Sequence, residues 1–208
     1  GTPDFQWYGR GRDDGEQKGE MTPIGWRSAE FSCEDQGTFW LSENPSAVGE
    51  KSWDAALPRI ASWVKLRRQA DGAQVLVVNT HFDHVGAVAR RESAALLLRR
   101  ISAVAVAGPA VVTGDFNCPP SGEPYRILTD GVEGGPAIAD ARALSAIPPY
   151  GGSRSFSGFK PVTGPGEIID HIFVRGGLSV ARSGVIADTW DGRFVSDHFP
   201  VLAEIVLR

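Results

Sequence analysis

Four short polar motifs stand directly after apolar segments or inside them, and they carry the residue types of hydrolytic chemistry. In chain order they are Asn79-Thr80-His81-Phe82-Asp83-His84, Gly114-Asp115-Phe116-Asn117, Ile169-Asp170-His171-Ile172 and Ser196-Asp197-His198-Phe199-Pro200. A carboxylate beside an imidazole orients the ring and stabilises its protonated form, so that the ring can take a proton from water. Carboxylate and amide oxygens are also the ligands that hard divalent cations prefer. The motifs therefore indicate metal-assisted hydrolysis, and phosphate esters suit it because the cation neutralises charge on phosphoryl oxygens.

Each motif taken alone also fits a structural role. Carboxylates cap loops, and a single histidine is more often packed than functional. Asp170 is the most demanding case, because a charge inside an apolar strand is costly unless it is paired or bound to a cation. Ligand sites of α/β proteins gather at strand ends, so four motifs at such positions predict one shared site.

The hydrophobic pattern predicts the elements that position these motifs. Ile60–Leu66 and Val75–Thr80 form a predicted hairpin around the turn Asp71-Gly72, and apolar spacing over 88–105 predicts an amphipathic helix. A strand follows at 110–114. Further strands are predicted at 24–26, 37–41, 168–174, 184–188 and 199–207, a short helix at 123–128, and loops over most of 129–166. No linker or repeat interrupts the pattern, which predicts a single α/β domain over residues 1–208.

Composition excludes several classes of protein. The 208 residues include 25 glycines and 14 prolines without any period, which argues against a helix bundle and against collagen. A net charge of -4 does not suggest binding to long nucleic acid. No apolar run is long enough to span a membrane, so a soluble chain is expected, either cytoplasmic or secreted. Cys33 and Cys118 are too few for a disulfide framework or a zinc site and are expected to be small, buried or half-buried thiols.

The four motifs, in this order, resemble those of the endonuclease/exonuclease/phosphatase superfamily, the deoxyribonuclease I-like proteins. The resemblance extends from about residue 19 to residue 207 and is greatest to a bacterial branch of unassigned substrate. It implies a four-layer sandwich of two packed mixed β-sheets flanked by helices. It also implies a divalent-metal-dependent phosphoester hydrolase, that is a phosphodiesterase, nuclease or phosphatase, that uses Mg²⁺ or Mn²⁺. The implied substrate is a phosphate ester, either a small molecule or a short nucleic acid.

The resemblance also implies roles for individual residues. His198 would be the general base for water and Asp170 its orienting partner, while His81 would bind the phosphate or protonate the leaving oxygen and Glu20 would pair with His81. Asp115 and Asn117 would hold the phosphate, the attacking water or the metal. Asp197 would be a metal ligand or would contact one, and Arg59 would bind the phosphate.

Other polar and aromatic residues near the motifs have more ordinary expected roles. Asp83 and His84 are expected in a solvated loop, and strand alternation turns His171 to the face opposite Asp170, which makes it structural. Four aromatic residues in loop-like stretches either line a substrate pocket or pack against the domain: Trp53, Phe156, Phe159 and Trp190.

The chain departs from the family at its amino-terminal end. Family members begin with a strand, a helix and a second strand that ends in a metal-binding glutamate. Residues 4–18 show no apolar strand before Glu16, so this glutamate cannot be equated with that ligand. The domain is therefore expected to be incomplete at the amino terminus or completed by a second chain. The alternative function is a catalytically impaired fragment or binding module that retains the fold.

Overall fold

The structure is a computed structural model that describes residues 4–105, 108–162 and 164–207. Those residues form ten strands and two helices. In chain order the elements are β1 (Phe5–Tyr8), β2 (Ile24–Arg27), β3 (Phe31–Trp40), β4 (Ile60–Arg68), β5 (Gln74–His81), α1 (Ala87–Ala105), β6 (Ala110–Asp115), α2 (Glu123–Asp130), β7 (Ala139–Asp140), β8 (Asp170–Arg175), β9 (Ser179–Val185) and β10 (Val201–Val206). None of the helices in these ranges is long and apolar enough to cross a membrane.

A six-stranded mixed sheet is the centre of the fold, with the strand order β3-β4-β5-β6-β8-β7. Only β5 and β6 run parallel, and all other neighbours are antiparallel. A parallel pair needs a crossover connection, and α1 supplies it between β5 and β6. The predicted hairpin of β4 and β5 and the predicted helix are thus present with nearly the expected bounds.

The helices cover one face of this sheet. Alternate residues of β5, Leu76 and Val78, are buried there with Val112 of β6 and with Leu97 and Leu98 of α1. The intervening residues of β4 and β5 point to the other face, as the two-residue period of a strand requires.

Two small antiparallel pairs, β1-β2 and β9-β10, cover the opposite face. Ile24 and Trp26 of β2 pack on Val64 of β4, and Val180 of β9 packs with Val174 of β8. The sequence predicts a deoxyribonuclease I-like α/β fold with two packed layers of strands and helices outside, and the structure confirms that fold class.

Several strands differ from the sequence-based prediction, among them β1, β9 and β8. Residues 4–18 do contain a strand, β1, which pairs with β2 although Trp7 is 60% exposed. The strand β9 lies at 179–185 instead of 184–188, because the turn at Gly176-Gly177 ends β8 and the next strand begins at once. The strand β8 begins at Asp170, so this carboxylate stands at a strand end and not inside an apolar strand.

Candidate active site

Strand register places three of the predicted residues side by side at one end of the central sheet. His81 of β5 lies opposite Asp115 of β6, and Asp115 lies opposite Asp170 of β8. Neighbouring strands are about 4.8 Å apart, so side chains at matched positions can contact one another. Three motifs that are distant in the sequence thus meet in one row.

Close approach of β5 and β6 at this row depends on Gly114. Its φ is 155°, and a Cβ built on it would lie 2.1 Å from the carbonyl oxygen of Thr80. No side chain fits there without movement of one strand, so the Gly-Asp sequence of the second motif has a steric reason.

The fourth motif supplies His198 from the loop before β10. Its Nδ1 lies 2.8 Å from Oδ2 of Asp170, a hydrogen bond in which the imidazole donates to the carboxylate. This bond raises the pKa of His198 above its ordinary value, in opposition to the effect of burial. The carboxylates of Asp115 and Asp197 raise it further. Asp170 thus has an imidazole partner for its charge.

Asp115 lies between two imidazole rings. Its Oδ2 is 3.3 Å from Nε2 of His81 and 3.8 Å from Nε2 of His198. Burial opposes the charge on Asp115, but the hydrogen bonds from His81 and from the backbone N–H of Asn117 outweigh it, and the net effect lowers the pKa of this carboxyl group. Asp115 is therefore ionised at neutral pH.

Glu20 reaches the other side of His81 from the loop before β2. Its Oε2 lies 3.2 Å from Nδ1 of His81 and accepts hydrogen bonds from Arg12 at 2.5 Å and from Arg59 at 3.4 Å. The site is therefore a continuous series of contacts: Glu20, His81, Asp115, His198 and Asp170.

Arg59 lies behind this series. It is 4% exposed, and its nitrogens contact Asp83, Glu20 and His84. The structure therefore connects Arg59 to His81 through Glu20.

Asn117 and Asp197 flank the series. The backbone N–H of Asn117 donates to Oδ1 of Asp115, and its side-chain amide donates to the carbonyl of Phe82, so that its Oδ1 remains an acceptor. Asn117 holds this position with a φ of 46°, a left-handed conformation that asparagine tolerates better than most residues. Asp197 precedes His198, and the Oγ of Ser196 donates to its carboxylate at 3.4 Å.

The donor set fits a hard divalent cation. Asp115, Asp170 and His198 each offer a ligand atom within 4.8 Å of the others, and two of these donors are carboxylates. A cavity of about 350 Å³ opens on the same residues.

Sequence reasoning fails for several residues around the site. Asp83 is buried at 1% exposure and not solvated, because it accepts backbone hydrogen bonds from Leu57, Val85 and Gly86. Arg12 was not recognisable as a site residue, since it lies in a turn-rich segment without periodicity.

The residues expected to be structural or aromatic lie around the site as follows. His171 is buried and donates to the carbonyl of Cys118, as its structural role predicts. Phe156 packs edge-on against His198 with ring centroids 4.9 Å apart, whereas Phe159 and Trp190 are largely exposed. Cys33 is partly exposed and Cys118 is buried, as expected.

Comparison with known proteins agrees with this geometry. The sequence model of the Endonuclease/Exonuclease/phosphatase family matches residues 19–198. The structure of an endonuclease/exonuclease/phosphatase from Bacteroides vulgatus is 39% identical, with a TM-score of 0.92 over 99% of this chain and 77% of that one. A mannosyl-6-phosphatase from Bacteroides thetaiotaomicron is 37% identical, with a TM-score of 0.90 over 98% of this chain and 78% of that one.

More distant structures share the fold alone. The human Nocturnin catalytic domain is 16% identical, with a TM-score of 0.72 over 99% of this chain and 73% of that one. No curated protein sequence matches the chain significantly. These comparisons do not support the second chain that the sequence analysis offers as one way to complete the fold.

Proposed function

The chain belongs to the endonuclease/exonuclease/phosphatase family, and we propose that it hydrolyses phosphate esters with a divalent cation and a water molecule activated by His198 and Asp170. The observation that carries the proposal is the continuous series from Glu20 to Asp170. It presents two imidazoles, each with a carboxylate at Nδ1, on either side of Asp115.

His198 acts on the attacking water. Its Nδ1–H is committed to Asp170, so Nε2 carries the lone pair that accepts the proton of the water. The oxygen of the water forms a bond to phosphorus as the ester P–O bond breaks. Asp170 stabilises the imidazolium that results.

His81 acts on the leaving group. Glu20 contacts its Nδ1, which leaves Nε2 facing Asp115 and the reacting phosphate. An alkoxide is a poor leaving group, so the proton that Nε2 gives to the ester oxygen accelerates its departure. The proton taken from water at His198 and the proton given at His81 balance over one turnover.

Asp115 would hold the cation, Mg²⁺ or Mn²⁺, with Asn117 and Asp197 as the further oxygen donors. When bound, the cation supplies Lewis-acid stabilisation of the charge on the phosphoryl oxygens. The partly buried, ionised carboxylate of Asp115 supports this assignment.

The relatives and the charge of the chain support a choice of substrates to test. A relative 37% identical carries the name mannosyl-6-phosphatase, so a hexose phosphate, which is an alkyl phosphomonoester, is the first substrate to test. A short nucleic acid end is the second, because it offers the same phosphoryl group without a long polyanion.

One assay separates the proposed function from its alternatives. Hydrolysis of mannose 6-phosphate, p-nitrophenyl phosphate and bis-p-nitrophenyl phosphate is measured with Mg²⁺, with Mn²⁺ and with EDTA. We expect cation-dependent hydrolysis of at least one of these esters, which EDTA abolishes and which His198→Ala slows by about 10³-fold. Preference for the monoesters or the diester identifies a phosphatase or a phosphodiesterase.

The same assay can overturn the proposal. No hydrolysis by the wild-type chain with either cation would favour an impaired fragment or binding module. An unchanged rate in His198→Ala would disprove the assigned base.

A further inference from the structure

The segment 155–158 lies between Asp170 and the loop that carries His198, and it forms hydrogen bonds with the backbone of each. On one side the Oγ of Ser155 accepts the backbone N–H of Ile169 at 2.9 Å and that of Asp170 at 3.1 Å. On the other side the carbonyl of Ser155 accepts the N–H of Phe199 at 2.7 Å. One residue therefore connects the first residue of β8 with the loop that carries His198.

The rest of the segment strengthens the second connection. The N–H groups of Ser157 and Gly158 both donate to the carbonyl of Asp197, at 2.7 and 3.1 Å. Phe156 forms an isolated antiparallel bridge with His198. The loop that carries His198 has little regular structure of its own, and this segment forms three backbone hydrogen bonds with it.

We propose that Ser155 is a positioning residue of the active site, which sets the distance between the Asp170 carboxylate and the His198 imidazole. The side chain is fully buried, at 0% exposure, so water does not replace its hydroxyl as an acceptor. Asp170 and His198 lie on separate segments, so the 2.8 Å contact between their side chains depends on how the two backbones are held relative to each other. Ser155 supplies that connection through its hydroxyl and its carbonyl. This inference rests on the proposed function for its catalytic consequence, but its geometry can be tested without activity.

The test uses Ser155→Ala, which removes the acceptor and adds no bulk, and Ser155→Cys, which keeps the shape with a much weaker acceptor. Ser145→Ala is the matched control. The Oγ of Ser145 also accepts a backbone N–H, that of Ser183 at 3.1 Å, on a strand outside the central sheet. The kcat and KM for p-nitrophenyl phosphate and the downfield proton signal of the His198 Nδ1–H are measured for each. That signal is assigned by its absence in His198→Gln.

We expect both Ser155 variants to lose about tenfold to a hundredfold in kcat with KM changed less than about threefold, because a small misplacement of the base affects the chemical step. The downfield signal should move upfield or broaden in both and stay unchanged in Ser145→Ala. An unchanged kcat and signal in the Ser155 variants would overturn the inference, as would an equal loss in Ser145→Ala. If the wild type hydrolyses no ester, the proposed function fails, and the signal alone decides on Ser155. If Ser155→Ala does not fold, Ser155→Cys gives the same two readouts.

Discussion

The proposed function gives the two imidazoles of the site different roles, although their surroundings are alike. Each has a carboxylate at Nδ1 and faces Asp115 through Nε2. The bond to Asp170 is the shorter, 2.8 Å against 3.2 Å for the contact of His81 with Glu20. Two arginines also contact Glu20 and share its negative charge with His81, whereas Asp170 contacts no arginine among the described residues. This asymmetry favours His198 as base and His81 as acid.

Replacement of His81 tests the assignment of the acid. His81→Ala should slow mannose 6-phosphate hydrolysis by about 10²–10³-fold but p-nitrophenyl phosphate hydrolysis by less than about tenfold, because nitrophenolate leaves without protonation. The ratio of the two kcat/KM values is the measurement. His84→Ala is the control, since His84 is exposed and contacts Arg59 outside the series. Equal losses on both substrates would contradict an acid role for His81.

Replacement of Asp170 tests whether this carboxylate orients the base or holds the cation. Asp170→Asn should lower kcat by about 10³–10⁴-fold, because the imidazole loses its orientation and the stabilisation of its charge. The affinity for Mn²⁺, measured by calorimetry, should change little. In Asp115→Asn the affinity itself should fall. A loss of Mn²⁺ affinity in Asp170→Asn as large as that in Asp115→Asn would instead make Asp170 a ligand.

At the scale of elements, the site depends on the register of β5, β6 and β8. The motifs were predictable because each borders an apolar run, and the order of strands along the chain brings their ends together. Ser155 and Arg12 were not predictable in this way. Both lie in irregular segments rich in glycine, and their roles come from contacts with residues that are distant in the sequence or that no local pattern specifies.

Replacement of Gly114 tests whether the close approach of β5 and β6 beside His81 and Asp115 depends on the absence of a side chain. Gly114→Ala should destabilise the fold by about 3 kcal/mol or more, since it combines an unfavourable φ with a Cβ placed 2.1 Å from the carbonyl oxygen of Thr80. Gly177→Ala is the control, because its φ is 78° but nothing lies within 4 Å of the added Cβ. Gly177→Ala should lower the free energy of unfolding by only about 1–2 kcal/mol. Urea unfolding gives both values, and similar values would disprove the steric role of Gly114.

Asp83 ties the loop after β5 to Arg59 and to the start of α1. Although burial opposes its charge, backbone hydrogen bonds from Gly86, Ala56, Val85 and Leu57 lower the pKa of Asp83 far below its ordinary value. A carboxyl group with a lowered folded-state pKa stabilises the fold above the unfolded pKa of about 4 and loses this effect as pH falls through the folded pKa.

Asp83→Asn should therefore destabilise the chain by about 3 kcal/mol at pH 7, because it removes one of the two carboxylates that pair with the buried Arg59. The stability of Asp83→Asn should also fall less steeply than that of the wild type as the pH drops below 4. Asp71→Asn is the control, since Asp71 has a pKa of about 2 but is exposed, where ion pairs contribute little. Urea midpoints between pH 2.5 and 7 provide the measurement. Parallel curves for wild type and Asp83→Asn would contradict this role.

At the scale of the whole molecule, charge and surface agree with a small substrate. The net charge is -4, and the basic residues on α1 are partly engaged with the protein itself. Arg90 donates to the carbonyl of Asp83, Arg91 pairs with Glu92, and Arg100 lies over the ring of Phe39. Composition therefore favours a class of ligand but not a particular substrate. Loop residues beside the site, such as Phe156, have neighbours that no sequence period reveals.

This charge predicts weak, nonspecific binding of duplex DNA. Affinity for long nucleic acid comes mainly from lysine and arginine that displace counterions from phosphates, and the chain has no excess of them. A 30-base-pair duplex with hydroxyl ends should inhibit p-nitrophenyl phosphate hydrolysis only above about 10⁻⁴ M at 150 mM salt. A 5′-phosphorylated dinucleotide should compete more strongly per phosphate, because its terminal monoester can enter the site. Micromolar inhibition by the duplex, weakening steeply as salt rises, would instead indicate a local basic surface that net charge does not reveal, and a nuclease would then become the leading function.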